Sequence, residues 1–319
     1  MEQRPAASNE NEITERFTTV GTSSLEDIVR VMAPLPFDKA MKRDWLNQTA
    51  LHVASFFGRS IVAMTLTLFG FDIEARDNYE RTPLHNAARI GDIESIQYLL
   101  SRNASINTRD AYGQTPLALA VLHSSSSATV RLLLSKGADP NIKSYDGMSL
   151  LHHAVTLQHL EIMELLIAYG VNPNEMNREN STVLNYLMHS WCCYPQIPTV
   201  GLLIRSGADV NLPNARGYTP LHGAIISKKG PGVMLLLLYF GADTNAVNSD
   251  GCSSPIQLFA RHTLNDYSLS EEEIATTARW MVRFGANPYL EDKCNNNLSP
   301  VYIAERAGKW LVADALRGL

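Results

Sequence analysis

Cysteine is scarce in this chain: Cys192, Cys193, Cys252 and Cys294 are the only four in 319 residues. So few cannot build the disulfide framework of a small secreted scaffold, and reduced thiols of a cytoplasmic or nuclear protein are expected. Long hydrophobic runs are lacking too. The greasiest, "VMLLLLYFGA" at 233–242, is far too short to span a bilayer, and "MEQRPAASNENEITERFTTVG" at the start has no apolar signal-peptide core. There is no basic excess either. Net charge is −5, pI is near 6.0, and Lys42-Arg43 and Lys228-Lys229 are the only basic doublets, which weighs against nucleic acid and membrane surfaces as partners. Also missing are a phosphate-cradling glycine loop, a nucleophile elbow, a zincin helix and a kinase signature. No catalytic residue, cofactor or resident metal is therefore expected.

What is abundant is repetition. The hydrophobic fraction, 45%, is ample for a packed interior. "TPLHNAA" begins at Thr82, "TPLALAV" at Thr115, "SLLHHAV" at Ser149, "TVLNYLM" at Thr182 and "TPLHGAI" at Thr219. Weaker copies are "TALHVAS" at Thr49, "SPIQLFA" at Ser254 and "SPVYIAE" at Ser299. A second phrase keeps the same beat, as in "KGADPNIKS", "SGADVNLPN" and "FGADTNAVN". A hydroxyl residue at the head of each phrase caps a helix, and proline behind it suits a position that needs no amide donor. A turn then leads to a second helix of the "IESIQYLL" kind, with apolar residues at helical spacing. That helix stops at Gly70, Asn103, Gly137, Gly170, Gly207, Gly241 and Gly285, residue types that tolerate a left-handed backbone.

This pattern resembles the ankyrin repeat, whose period is near 33 residues and whose signature is T-P-L-H-x-A. The resemblance covers about residues 44–319. It implies an all-α solenoid of about eight units, at approximately 44–77, 78–110, 111–144, 145–177, 178–214, 215–248, 249–292 and 293–319. No unit can bury its apolar face alone; stacking does so. Residues 1–22 are expected to be a disordered tail and 23–43 a capping segment, with "SLEDIVRVMAPL" (24–35) as its helix. The family resemblance further implies protein–protein binding without catalysis, as a scaffold, adaptor or inhibitor. It also implies asparagine hydroxylation in the hairpins, for which "LLIRSGADVN" with Asn211 is similar to a substrate segment.

Several details invite chemical readings that the repeat explains better. His52, His85, His152 and His222 recur at the third helical position, where a ring can bond back to the cap and the adjacent turn. Four at one period are a structural device rather than a catalytic base. Sequon matches at Asn47, Asn180 and Asn297 fall two before the cap, where other repeats carry Gly113, Gly147 or Gly217. Asparagine there accepts positive φ, and the cap completes the sequon by accident. "HSWCCYPQIP" at 189–198 falls in an inter-helix turn four residues longer than in the second repeat. Its adjacent cysteines lack the spaced ligand pairs zinc needs and the orienting base a thiol nucleophile needs. The insertion "HTLNDYSLSEEE" at 262–273 ends in a capping box, Ser270 with Glu273, opening a helix toward Phe284.

Stacked units present a concave side built from turns and first helices. By register, the positions free to read a partner protein are Tyr79 and Arg81, Tyr112 and Gln114, Met148, and Arg216 and Tyr218 on the turns. Asn86, Leu119, His153 and Tyr186 are the corresponding helix positions. Tyrosine and arginine are the residue types that dominate interface hot spots. The expected protein is thus a monomeric, non-enzymatic binding scaffold. The runner-up is an accessory or regulatory subunit of an enzyme system (a ubiquitin-ligase adaptor, a biosynthetic-pathway partner or a secreted effector), or at the extreme a cryptic enzyme using the loops at 189–194 and 262–273.

Overall fold

The computed structural model describes residues 43–124, 126–190, 197–263, 269–292 and 297–319. The tail, the capping segment, "WCCY" and most of the loop before Ser270 lie outside the described residues. The chain divides into two compact units, Met1–Asp146 and Gly147–Leu319. Both are helical; among the described residues the only β pairings are isolated bridges, Met176 with Thr182 and Asp292 with Leu298.

The first unit holds three helix pairs: Ala50–Phe56 with Ser60–Leu68, Pro83–Ile90 with Ile93–Ser101, and Pro116–Leu119 with Ser127–Ser135. First helices pack on first helices and second on second. Leu51, Leu84 and Leu117, one per repeat, are fully buried, as are Ala54, Ala87 and Ala120. Each buried leucine stabilises by about 1.5–3 kcal/mol, and the alanines let adjacent helices approach. In the third pair the α-helix continues as a π-helical turn, Ala120–Ser124. The second helix there starts one residue later after its cap than in the second repeat, and a π turn is how a helix absorbs one extra residue. The second unit repeats the scheme from Leu150–Thr156 to Trp310–Arg317.

Three sets of polar side chains tie the repeats together. The first is the histidine series. The backbone N–H of Thr82 donates to His85 Nδ1 at 3.1 Å, while His85 Nε2 lies 3.2 Å from the Gln114 carbonyl of the next turn. His52 bridges Thr49 to Arg81, His152 bridges Ser149 to Ser181, and His222 bridges Thr219 to Ser253 in the same way. Nδ1 accepts a proton-bearing N–H, so the ring must be the neutral tautomer carrying its proton on Nε2. Burial lowers the His85 pKa to about 4, against a partial rise from Asp110, and burial likewise lowers His222 to about 4. Elsewhere amides replace the ring: Gln257 accepts from the Ser254 N–H at 2.9 Å and donates to the Leu290 carbonyl at 3.1 Å. Ala118, in the third repeat, has no side-chain group for the task.

The second set is the hairpin asparagines. Asn211 accepts from Asp243 N–H at 2.8 Å and donates to the Gly241 carbonyl at 2.9 Å, so its amide clamps the following hairpin rather than only its own turn. Asn174 and Asn245 do the same. The third set is an Asp or Asn five residues before the cap: Asp77 accepts from the N–H groups of Tyr79 and Arg81, and Asp110 from those of Tyr112 and Gln114.

The position two before the cap has positive φ in every repeat but the seventh, where Gly251, three before Ser254, takes it instead at φ 68°. Asn47, Asn180 and Asn297 have φ of 61°, 52° and 55°, beside Gly113, Gly147 and Gly217 at 76°, 81° and 77°. At Gly217 a Cβ would also collide with the backbone nitrogen of Ser249. The second repeat places Glu80 there, at φ 59°. The capping box is formed: Ser270 Oγ accepts from Glu273 N–H at 3.2 Å and the Glu273 carboxylate accepts from Ser270 N–H at 2.8 Å. One expectation fails. Cys252 is disulfide-bonded rather than a free thiol. Pairing depends on Cβ atoms meeting in space, which a count of cysteines does not reveal.

Candidate functional site

Turn geometry fixes how the first unit's inner residues are displayed. With the Asp77 and Asp110 carboxylates holding the backbone N–H groups around them, Tyr79 and Tyr112 stand at the turn tips. The tips are joined by main-chain hydrogen bonds: Asn78 N–H to Leu46 O at 2.9 Å, Ala111 N–H to Tyr79 O at 2.8 Å, and Tyr145 N–H to Tyr112 O at 2.9 Å. Tyr79 and Tyr112 remain 39% and 53% exposed. Such aromatic area held rigidly in water is the raw material of an interface.

Between these tips and the far ends of the first helices runs an open groove of about 560 Å³. Four of the expected site residues line it: Tyr79, Arg81, Asn86 and Tyr112. Arg81 lies over the Tyr79 ring at 5.1 Å and pairs with buried Asp110 at 3.5 Å, so its charge is largely spoken for. Asn86 is a floor residue, 1% exposed, with its amide donating to the His52 carbonyl at 3.2 Å. It holds two first helices together and offers a partner almost nothing, unlike the outward role expected of it. Leu119 is 0% exposed and belongs to the core, as do Val53 and Asn86 at the same offset from their own caps, so in the first unit this position faces inward rather than toward a partner. Gln114 is half-buried, its carbonyl engaged by His85.

The groove also uses residues that register on the turns alone does not reveal. Phe56 and Arg89 each lie seven residues after the cap, on the same side as Asn86 but one turn further along. The Arg89 guanidinium stacks over the Phe56 ring at 5.4 Å, and Phe57 meets Phe56 edge to face at 5.4 Å. The signal was present: extending the inner helix position by three residues reaches Arg89.

In the second unit two of the expected residues, Tyr186 and Tyr218, pack against histidine rings. Tyr186 meets the His152 ring edge-on at 5.7 Å, and Tyr218 lies 5.4 Å from His222 and 6.0 Å from His189. Met148 and His153 are half-buried and Arg216 is exposed. Among the described residues no cluster of three or more His, Cys, Asp or Glu could hold a metal ion, and no helix is long and apolar enough to cross a membrane.

A family model for ankyrin repeats, in its three-copy form, matches residues 51–144, 109–177, 129–194 and 151–248. The chain belongs to the ankyrin-repeat family. It is 32% identical over 183 residues to the B-cell lymphoma 3 protein homolog of Mus musculus, covering 55% of this chain and 39% of that protein. It is 29% identical over 249 residues to the ankyrin repeat protein nuc-2 of Neurospora crassa, covering 76% of this chain and 20% of that protein. The matches thus take in well under half of either relative's length. Among solved structures, the ankyrin repeat domain of human ASB11 is similar with a TM-score of 0.61 and 26% identity, over 76% of this chain and 100% of that one. The ankyrin repeat domain of Bcl-3 gives 0.58 and 27%, over 70% and 97%. The ankyrin-repeat fold is a protein-interaction module, whose stacked units create extended binding surfaces.

Proposed function

We propose that this ankyrin-repeat chain is a non-enzymatic scaffold or adaptor, working in the cytoplasm or nucleus, that binds a partner protein through its turn tips and inner helix faces. A monomer is sufficient for that role. The observation that carries the reading is the first unit's groove, where exposed Tyr79 and Tyr112 are held by main-chain bonds above an aromatic and cationic wall. Of the residues expected from sequence to touch the partner, Tyr79, Arg81, Tyr112, Met148, His153, Tyr186, Arg216 and Tyr218 keep that assignment. Gln114, Asn86 and Leu119 serve the stack.

The test truncates Tyr79, Tyr112, His153 and Tyr218 to alanine together in the full chain and compares partner capture from the native cell with the parent protein. Capture should be lost while the helical circular dichroism stays that of a folded array. Undiminished capture of the same partner by the folded variant contradicts the use of this face.

A further inference from the structure

The groove of the first unit has a chemistry that narrows what can enter it. Its carboxylates are all engaged. Asp44 accepts from the N–H groups of Leu46 and Gln48 at 2.9 and 2.7 Å, and Asp110, just behind the wall, holds Arg81. Arg89 differs. The residue is half-buried, and its guanidinium lies on the Phe56 ring with no hydrogen bond or ion pair among the described residues. A guanidinium is weakly hydrated for a cation and presents a planar fork of donors, so one stacked on an aromatic ring is prepared for a carboxylate held in two bonds. The local field favours an anion as well. His123, in the π turn, has its pKa lowered first by burial and then by the charges of Arg89 and Arg81. Around the cation the wall is apolar: Phe56, Phe57, Val53 and Leu46. A bare inorganic anion would make no use of that wall, and a basic segment would be repelled by the free cation.

We propose that this groove binds a linear segment of the partner protein in which an aspartate or glutamate neighbours a large apolar residue. Arg89 takes the carboxylate in a bidentate pair, and Phe56 and Phe57 pack against the apolar side chain. The inference rests on the reading of the inner face as an interaction surface and adds the chemistry of what is read. A groove of about 560 Å³, open along its length, accepts a short extended run without movement of the helices.

The test pans a display library of random dodecapeptides against the immobilised full chain, and in parallel against full-length Arg89→Ala and Arg89→Lys variants with unchanged thermal unfolding. The expected enrichment is a motif pairing Asp or Glu with Leu, Ile, Phe or Trp, weakened about tenfold or more by Arg89→Ala and only partly restored by Arg89→Lys. In a synthetic peptide of that motif, Glu→Gln and Arg89→Ala should each weaken binding but together do little more than either alone, as two halves of one interaction do. A basic motif, an acidic motif indifferent to Arg89→Ala, additive losses, or no enrichment at all overturns the proposal. So does displacement of the peptide by inorganic phosphate at comparable concentration, which would mean a plain anion site. A peptide of residues 24–35 binding as tightly as the selected one would make the occupant this chain's own segment and overturn a partner. Failure here with loss of cellular capture in the tyrosine variant leaves the proposed function standing; retained capture in that variant removes both.

Discussion

Acidification attacks the repeat-to-repeat ties through their histidines. His85 and His222 are fully buried with pKa values near 4, against an ordinary 6.5. Between those values the unfolded chain binds more protons than the folded one, so stability is complete above about pH 6.5 and is lost as pH falls toward 4. At pH 5 each ring contributes a loss of about 2 kcal/mol, from roughly 1.4 kcal/mol per unit of pKa difference, and the two together about 4 kcal/mol. That is a large part of the roughly 5–15 kcal/mol that holds a typical domain folded. The structural reason is specific: protonation puts a hydrogen on Nδ1, which now faces the N–H of Thr82 or Thr219 as donor against donor. Glutamine offers the control, because Gln257 already makes both bonds without a titrating group. The His85→Gln, His222→Gln chain should match the parent at pH 7.5 within about 1 kcal/mol and lose about 4 kcal/mol less between pH 7.5 and 5. Urea unfolding followed by circular dichroism across that range measures it. An equal pH slope in parent and variant refutes the reasoning.

Backbone and clamp positions give further tests. Glu80 occupies a left-handed position that glycine fills in the third, fourth and sixth repeats, so Glu80→Gly should raise stability by about 0.5–1 kcal/mol in chemical denaturation; a loss contradicts the strain. Gly217→Ala should cost more than about 1 kcal/mol, since the new Cβ adds a collision with Ser249 to the unfavourable φ, and an unchanged midpoint would show that the turn yields. Asn211→Ala removes both bonds to the next hairpin and should cost about 1–3 kcal/mol, with faster amide hydrogen exchange at Asp243; unchanged exchange there would refute the clamp.

Much of the architecture could be read from residues because local rules and the repeat agree. A Thr or Ser at the head of each repeat's first helix, glycine or asparagine at most left-handed positions, and a histidine at one fixed offset in four repeats all carry their physical reason in their chemistry. The surface was only partly legible for the same cause. Register alone assigns Leu119 outward, but the neighbouring repeats cover that position in the first unit, and Leu119 is as buried as Val53 and Asn86 at the same offset. Asn86 is polar and at an inner position, yet its amide satisfies a buried carbonyl of the neighbouring helix, a partner no single repeat contains. Arg89 and Phe56 become a site only when adjacent repeats stack, because each belongs to a different unit of the pattern. The Cys252 disulfide is likewise a matter of spatial approach.

Binding of a partner protein at the first unit's inner face, as proposed, can be measured at its turn tips. A photo-reactive phenylalanine analogue placed at position 112 of the full chain, with a second chain carrying it at exposed Arg131 on a second helix, tests this directly in the native cell. One discrete protein adduct at position 112, absent at 131, is the expected result. No adduct at 112, or the same adduct from both positions, would contradict it.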